Sequence, residues 1–323
     1  MGIPIQDKLP EASRLALGCM GFGGSWTKEP ITAEQVKQAH EALEAALEAG
    51  INFLDHADIY TAGKAEAIFG QVLKERPELK RHLIIQSKCG IKLADGAGLP
   101  ARYDFSKEHI LASVKGSLER LGLERLDVLL LHRPDILVEP DEVAEALEAL
   151  KAEGLVRFFG VSNMSAAQIG LLQASCRDPF IVNQLELSLS RLDWVEGGVT
   201  LNTKESARLS FPEGTIEYCR LHGIQLQSWG PLSKGVFSGP ESDEQPEHIR
   251  RAIRLVGELA EEKGVSTEAI VLAWIMRHPA GIQPVIGTTR PGRIRSCGEA
   301  VKVEFSRDEW YRLFAAARPQ SGS

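Results

Sequence analysis

The stretch "ITAEQVKQAHEALEAALEAG" (residues 31–50), running into "INFLDHADIYTAG" (51–63), decides how the fold is read. Thr32 can cap a helix, Val36, Ala39, Leu43, Ala46 and Leu47 recur at helical spacing, and Gly50 stops the pattern. Ile51–Leu54 is then a short apolar run, as expected of a strand covered on both faces. The run ends in Asp55, His56, Asp58 and Tyr60. So many titratable groups at the end of a buried strand are either a polar strand end meeting water or parts of a proton-transfer site completed elsewhere in the chain.

The same strand–helix unit recurs along the chain. Strands are expected at "RLALG", "INFLD", "HLIIQSK", "LDVLLLH", "VRFFGVS", "FIVNQLE", "IQLQSW" and "IQPVIG", with amphipathic helices between them. Ser106 starts one helix, and Pro140 and Gly154 bracket another. Eight β-then-α units with buried, parallel-type strands and no linker predict an α/β fold, a (β/α)8 TIM barrel in a single domain spanning 1–323. Two stretches, about 190–212 and 232–247, read as irregular, variable loops. "GCMGFGG" (18–24) lacks the GxGxxG spacing, so no Rossmann fingerprint is present.

Composition narrows the class. With 323 residues, 43% hydrophobic and 25% charged, the chain has the balance of a globular protein with a large core. A net charge of −7 and no Lys/Arg block longer than Arg250–Arg251 argue against nucleic acid as a partner. Cys19, Cys89, Cys176, Cys219 and Cys297 form no CxxC pair, which argues against a disulfide framework and a structural metal site. No signal pattern and no apolar run of membrane-spanning length is visible, so a cytoplasmic protein without a membrane partner is expected.

In a barrel of this kind chemistry gathers where the strands end. Those ends are Asp55 with Tyr60 just beyond, Lys88, His132, Ser162–Asn163, Gln184, Trp229 and Gly287–Thr288. A tyrosine can act as a general acid if a nearby ammonium stabilises its phenolate and lowers its pKa. A carboxylate can hold that ammonium charged, and a histidine can hydrogen-bond a carbonyl oxygen. Tyr60, Lys88, Asp55 and His132 supply these parts, and the reaction that fits is protonation of a carbonyl oxygen as hydride reaches its carbon. The hydride requires a cofactor. Ser162, Asn163 and Gln184 suit a nicotinamide carboxamide, and Trp229 could stack on the ring. Thr288 and Thr289 after Gly287, the start of the next helix, and Arg290, Arg293 and Arg295 suit phosphate, a 2′-phosphate included. Trp26, after the Gly-rich first loop, is a candidate for the substrate pocket along with His132. His56 and Asp58 read as bystanders.

The segments "FLDHADIY", "IIQSK", "VLLLHRPD", "LVRFFGVSN", "VNQLELS", "QSWGPL" and "PVIGTTRPGRIRS" resemble, in order, those of the aldo-keto reductase superfamily, from about residue 14 to 303. The resemblance implies a barrel that binds NADP(H). It implies Tyr60 as general acid, Lys88 as its modulator, Asp55 as the partner of Lys88 and His132 as the group orienting a small-molecule carbonyl substrate. It further implies that Ser162, Asn163 and Gln184 hold the carboxamide, that Trp229 takes the stacking place usually held by Tyr, and that Gly230, Leu232 and the residues to Gly235 form the pyrophosphate loop. A monomer or weak oligomer is the family's default. The chain departs from the family where His56 replaces a usual Thr, where Gly287 stands in place of a frequent Lys, and at Ser296–Cys297. Two other readings are a cofactor-binding regulatory subunit with little turnover and a metal-assisted hydrolase using Asp55, His56, Asp58 and His132.

Overall fold

A computed structural model describes residues 2–27, 29–95 and 98–319. Eight strands, β1 Ala16–Gly18, β2 Phe53–Asp55, β3 Ile84–Cys89, β4 Leu126–Leu131, β5 Val156–Ser162, β6 Phe180–Glu186, β7 Gln225–Trp229 and β8 Gln283–Ile286, form a closed barrel. Every neighbouring pair is parallel, and β1 closes the ring by pairing with both β2 (Ala16 opposite Phe53) and β8 (Ala16 opposite Val285). The expected (β/α)8 barrel is therefore the observed one.

The helices lie outside the ring: α1 Ala33–Glu48, α2 Lys64–Glu75, α3 Lys107–Leu121, α4 Pro140–Ala152, α5 Ala166–Gln173, α6 Asp193–Thr200, α7 Thr215–Leu221, α8 Glu247–Lys263, α9 Thr267–Met276, α10 Pro291–Gly298 and α11 Arg307–Ala317. Their starts follow the capping rule: Thr32, Ser106, Ser165, Ser266 and Ser306 each accept a hydrogen bond from a backbone N–H of the first turn. None of the helices among the described residues is long and apolar enough to cross a membrane.

Alternation along the strands builds two cores. Outward residues such as Leu54, Ile85, Leu129 and Leu131 pack against the helices. Inward residues Phe53, Ile84, Val128, Leu130, Val182 and Val285 fill the barrel together with Ile3, Ile5 and Leu9 of the N-terminal segment. That segment plugs the bottom, where Ile5 N donates to Gln225 Oε1 at 3.1 Å.

One loop expectation is corrected. The stretch 190–212 holds α6 and a 3-10 turn, Lys204–Arg208. The helix is anchored by one buried aromatic, Trp194, whose ring lies edge-on to Trp274 at 5.9 Å and to His278 at 5.3 Å. A single anchor among Gly and polar residues leaves no periodic stripe to read. The segment after β3 contains a small antiparallel hairpin, Ile91–Lys92 with Arg102–Tyr103. Residues 1, 28, 96, 97 and 320–323 of the expected domain lie outside the described residues.

Candidate active site

The rim formed by the strand C-termini carries a cleft of about 690 Å³ lined by residues from β1, β2, the β4 end, β5–β8 and the loops that follow them. The β2–α2 loop is held tightly at its base. Asp58 N donates to Lys88 O at 3.0 Å and His56 N to Gln86 O at 2.8 Å. Thr61 and Ala62 take left-handed backbone angles, φ 50° and 57°, an uncommon state for residues with a side chain. Thr61 is buried against the first loop, where a Cβ on Gly23 would sit 1.7 Å from Thr61 Oγ1; only glycine permits that approach. This turn delivers Tyr60 over the barrel mouth.

Lys88 is fully buried and donates three hydrogen bonds: to Asp55 Oδ2 at 2.7 Å, to the His56 carbonyl at 2.9 Å and to the Tyr60 hydroxyl oxygen at 2.9 Å. An ammonium has three N–H groups, so all are used. The Tyr60 oxygen accepts from Lys88, and its own proton is left for the cleft that Tyr60 lines. Burial pushes the Lys88 ammonium down, but Asp55 and Tyr60 outweigh it and the net direction is up. For Tyr60 the balance runs the other way: burial raises it, Lys88 lowers it, and the net direction is up. The expectation that Lys88 brings the phenol below its ordinary value is therefore not met in this structure, because desolvation of the phenolate is the larger effect.

His132 follows β4, its backbone N–H bonded to Cys89 O at 2.9 Å, and its ring stands edge-on to Tyr60 at 5.8 Å. Burial, then Lys88 and Arg133, hold its pKa well below the ordinary value, so it is a neutral imidazole with one N–H to give. His56 is fully buried against Phe69, pushed down to about 3, and has no ring hydrogen bond among the described residues. No three His, Cys, Asp or Glu side chains converge as metal ligands among the described residues.

Ser162, Asn163, Gln184 and Trp229 line the cleft beyond His132. Asn163, at φ 59°, donates to Ser162 Oγ (2.8 Å) and to the His132 carbonyl (3.3 Å) and accepts from Trp229 Nε1 at 3.0 Å. Further along lie Gly230, Leu232, Gly235, Gly287, Thr288, Thr289, Arg290 and Arg293. Arg293 pairs with Glu268 at 3.2 Å, whereas the Arg290 side chain has no ion pair among the described residues. Two expected residues lie elsewhere: Arg295 pairs with Glu48 on α1, and Trp26 is 52% exposed and is not part of the cleft lining.

Several lining residues escaped the sequence reading: Gly18, Met20, Arg133 and Val285. Arg133 lies 5.9 Å from the Trp229 ring, and its position directly after His132 was the available signal. The donor set suits a dinucleotide. Among the described residues, Ser233 Oγ is buried without a partner, Ser233 and Lys234 hold left-handed angles between Gly230 and Gly235, and a Cβ on Gly287 would meet nothing within 4 Å. Orphaned donors, an open backbone and two guanidiniums along one wall are what a pyrophosphate and a further phosphate require.

Comparison with known proteins gives a consistent picture. Residues 14–318 match the model of the Aldo/keto reductase family. The chain is 35% identical over 319 residues to a 6-dehydroglucose reductase of Agrobacterium fabrum, covering 98% of this chain and 97% of that one. It is 33% identical over 316 residues to the oxidoreductase YdhF of Escherichia coli, covering 98% and 97%. Among solved structures, the glycerol dehydrogenase of Gluconobacter oxydans superposes with a TM-score of 0.78 at 23% identity, covering 97% of this chain and 95% of that one, a likeness of fold.

Proposed function

The chain belongs to the aldo/keto reductase family, and from that premise we propose that it is an NADP(H)-dependent oxidoreductase that reduces the carbonyl of a small aldehyde or ketone to an alcohol. The observation that carries the reading is the donation of Lys88 to both Asp55 and Tyr60 at the cleft wall, with neutral His132 beside the phenol.

The nicotinamide cofactor, when bound, supplies the hydride. Ser162, Asn163 and Gln184 would hold its carboxamide, Trp229 its ring, the 230–235 loop with Ser233 its pyrophosphate, and Thr288, Thr289, Arg290 and Arg293 the far phosphate. The protein's own work is proton delivery and orientation. A carbonyl oxygen placed between Tyr60 and His132 receives a hydrogen bond from each. Tyr60 stays protonated at neutral pH because burial holds its pKa above the ordinary value, which is the state an acid must be in. As negative charge builds on the substrate oxygen, Tyr60 gives up its proton. The Lys88 ammonium at 2.9 Å then faces a phenolate, and Asp55 keeps that ammonium charged. His132, being neutral, polarises the carbonyl without competing as an acid.

The experiment is NADPH consumption with a panel of aldehydes, ketones and quinones. Tyr60→Phe should lower turnover by about 10²–10⁴, the range of general acid catalysis. Cofactor binding, read by tryptophan fluorescence, should stay nearly intact. Undiminished turnover in Tyr60→Phe would overturn the mechanism.

A further inference from the structure

Barrels of this type fill their interior with Val, Ile and Leu. Beside such residues this chain carries glutamine at Gln86, Gln184, Gln227 and Gln283, all buried and all at inward positions. The register sets them side by side: Asp55 opposite Gln86, Gln184 opposite Gln227, and Gln227 opposite Gln283. Their amides form one chain. Gln86 Nε2 donates to Asp55 Oδ1 at 2.6 Å and across the barrel to Gln227 Oε1 at 2.8 Å. Gln184 Nε2 donates to the same two oxygens at 3.1 and 2.9 Å. Gln227 Nε2 then donates to Gln283 Oε1 at 2.9 Å, and Gln283 Nε2 to the Ser13 carbonyl at 2.6 Å near the barrel bottom.

We propose that Gln86 and Gln227 are positioning residues for proton transfer: they pin Asp55 Oδ1, so that Lys88 meets only Oδ2 and keeps an N–H for Tyr60. The inference rests on the reading of Tyr60 as the acid. Its geometry is specific. Gln86 Oε1 is buried without a partner among the described residues, a costly state for an acceptor. Flipping the amide would relieve nothing, since it would press that oxygen against Asp55 Oδ1 and Gln227 Oε1. The carboxylate's charge therefore sets the direction of the Gln86 amide, and Gln227, taking both Gln86 and Gln184, locks the pair in place. Without the Gln86 amide, Oδ1 keeps only the longer bond from Gln184 at 3.1 Å, and without Gln227 neither donor is held in place, so the carboxylate can rotate and take a second bond from Lys88, drawing the ammonium away from the phenol. The same network commits the Gln184 nitrogen and leaves only its Oε1 for a ligand in the cleft.

The test uses Gln86→Leu and Gln227→Leu in the full chain, with Gln86→Met and Gln227→Met as unbranched replacements should the leucine variants fail to fold. The chain has 4 tyrosines, so Cζ-labelled tyrosine gives few NMR resonances, and Tyr60→Phe assigns the one that matters. At pH 7.5 the Tyr60 resonance should move in each folded variant while the other three stay. kcat should fall about 10-fold with the Kd for NADPH within about twofold, a split that lost packing alone does not produce. A Tyr60 resonance unmoved in folded variants overturns the inference, with or without turnover. If the wild type reduces no carbonyl at all, the proposed function fails while the NMR measurement still decides the role of the two glutamines.

Discussion

Asp58→Asn should make the protein more stable at pH 8 but not at pH 5. Asp58 sits in the loop that delivers Tyr60, its Oδ1 shielded from solvent and without a hydrogen-bond partner among the described residues. Burial and then the charge of Glu66 push its carboxyl up from 3.8 to about 7, with Ser113, Arg120 and the Ile59 backbone offsetting them only in part. Glu66 offers no relief, being fully buried and held by Ser87 Oγ at 2.6 Å and Arg120 Nε at 2.9 Å. The sign follows from proton counting: between about pH 4 and pH 7 the native state binds more protons than the unfolded chain, so stability falls as pH rises through that window and stays lower above it. Going from 3.8 to about 7 spans roughly three pH units, or about 4 kcal/mol as a ceiling; with solvent reaching part of the side chain, about 2–4 kcal/mol is the working figure. At pH 5 the wild-type carboxyl is protonated and close in shape to an amide, so the two proteins should agree within about 1 kcal/mol. Urea unfolding at pH 5, 6, 7 and 8, followed by tryptophan fluorescence, measures the gap, and titrating groups that do not couple to Asp58 cancel in the difference. A gap that does not widen between pH 5 and pH 8, or one that favours the wild type at pH 8, would refute the reasoning.

Other perturbations are equally direct. Arg290→Ala and Arg293→Ala should each weaken NADPH binding by about 10–100-fold while hardly altering NADH, as expected for a charge-assisted hydrogen bond of about 1.5–3 kcal/mol to a 2′-phosphate; paired titrations of the two cofactors check it. Since burial keeps His132 neutral, kcat should show no acid limb from it between pH 8 and 6, and the alkaline limb of reduction should lie above the ordinary phenol value of 10.0, both read from a pH–rate profile. Gly70→Ala, at a position where helix propensity favours Ala by about 1 kcal/mol, should nevertheless destabilise the protein by about 2 kcal/mol or more. Its Cβ would lie 2.0 Å from the Arg120 carbonyl where α2 meets α3, and a lowered urea midpoint would report it.

The barrel was legible because its signals are local. Each strand is a short apolar run, each helix carries its own stripe and cap, and eight repetitions leave little choice of topology. The strand-end residues were legible for the same reason: Asp55 and Lys88 are the last inward positions before the chain turns, and Gln184 lies one inward position before the end of β6. What the sequence hid depends on register. Gln86 lies two residues before Lys88, so strand parity alone puts both on one face, yet nothing local says that Gln227 faces it at 2.8 Å across the barrel. Arg295 and Arg293 look alike in "RPGRIRS", and only the packing of α10 on α1 sends Arg295 to Glu48. Trp26 failed for the converse reason: a loop aromatic near a site has no periodicity to aim it.

The electrostatics of Tyr60 separate two ideas that the sequence ran together. A lysine beside a tyrosine suggests a phenol whose pKa is lowered outright. In the folded protein desolvation is the larger effect, and the phenol remains a weaker acid than in water. For the proton donor proposed here this is no handicap, since a phenol already ionised at neutral pH could not donate. What Lys88 changes is the cost of the phenolate once the proton has left, and it can do so only while its other N–H groups stay on Asp55 and the His56 carbonyl. In the proposed mechanism, proton transfer from Tyr60 then depends less on the resting pKa of the tyrosine than on how firmly Asp55 is held. The buried glutamines bear on that term, although they touch neither the substrate nor Tyr60.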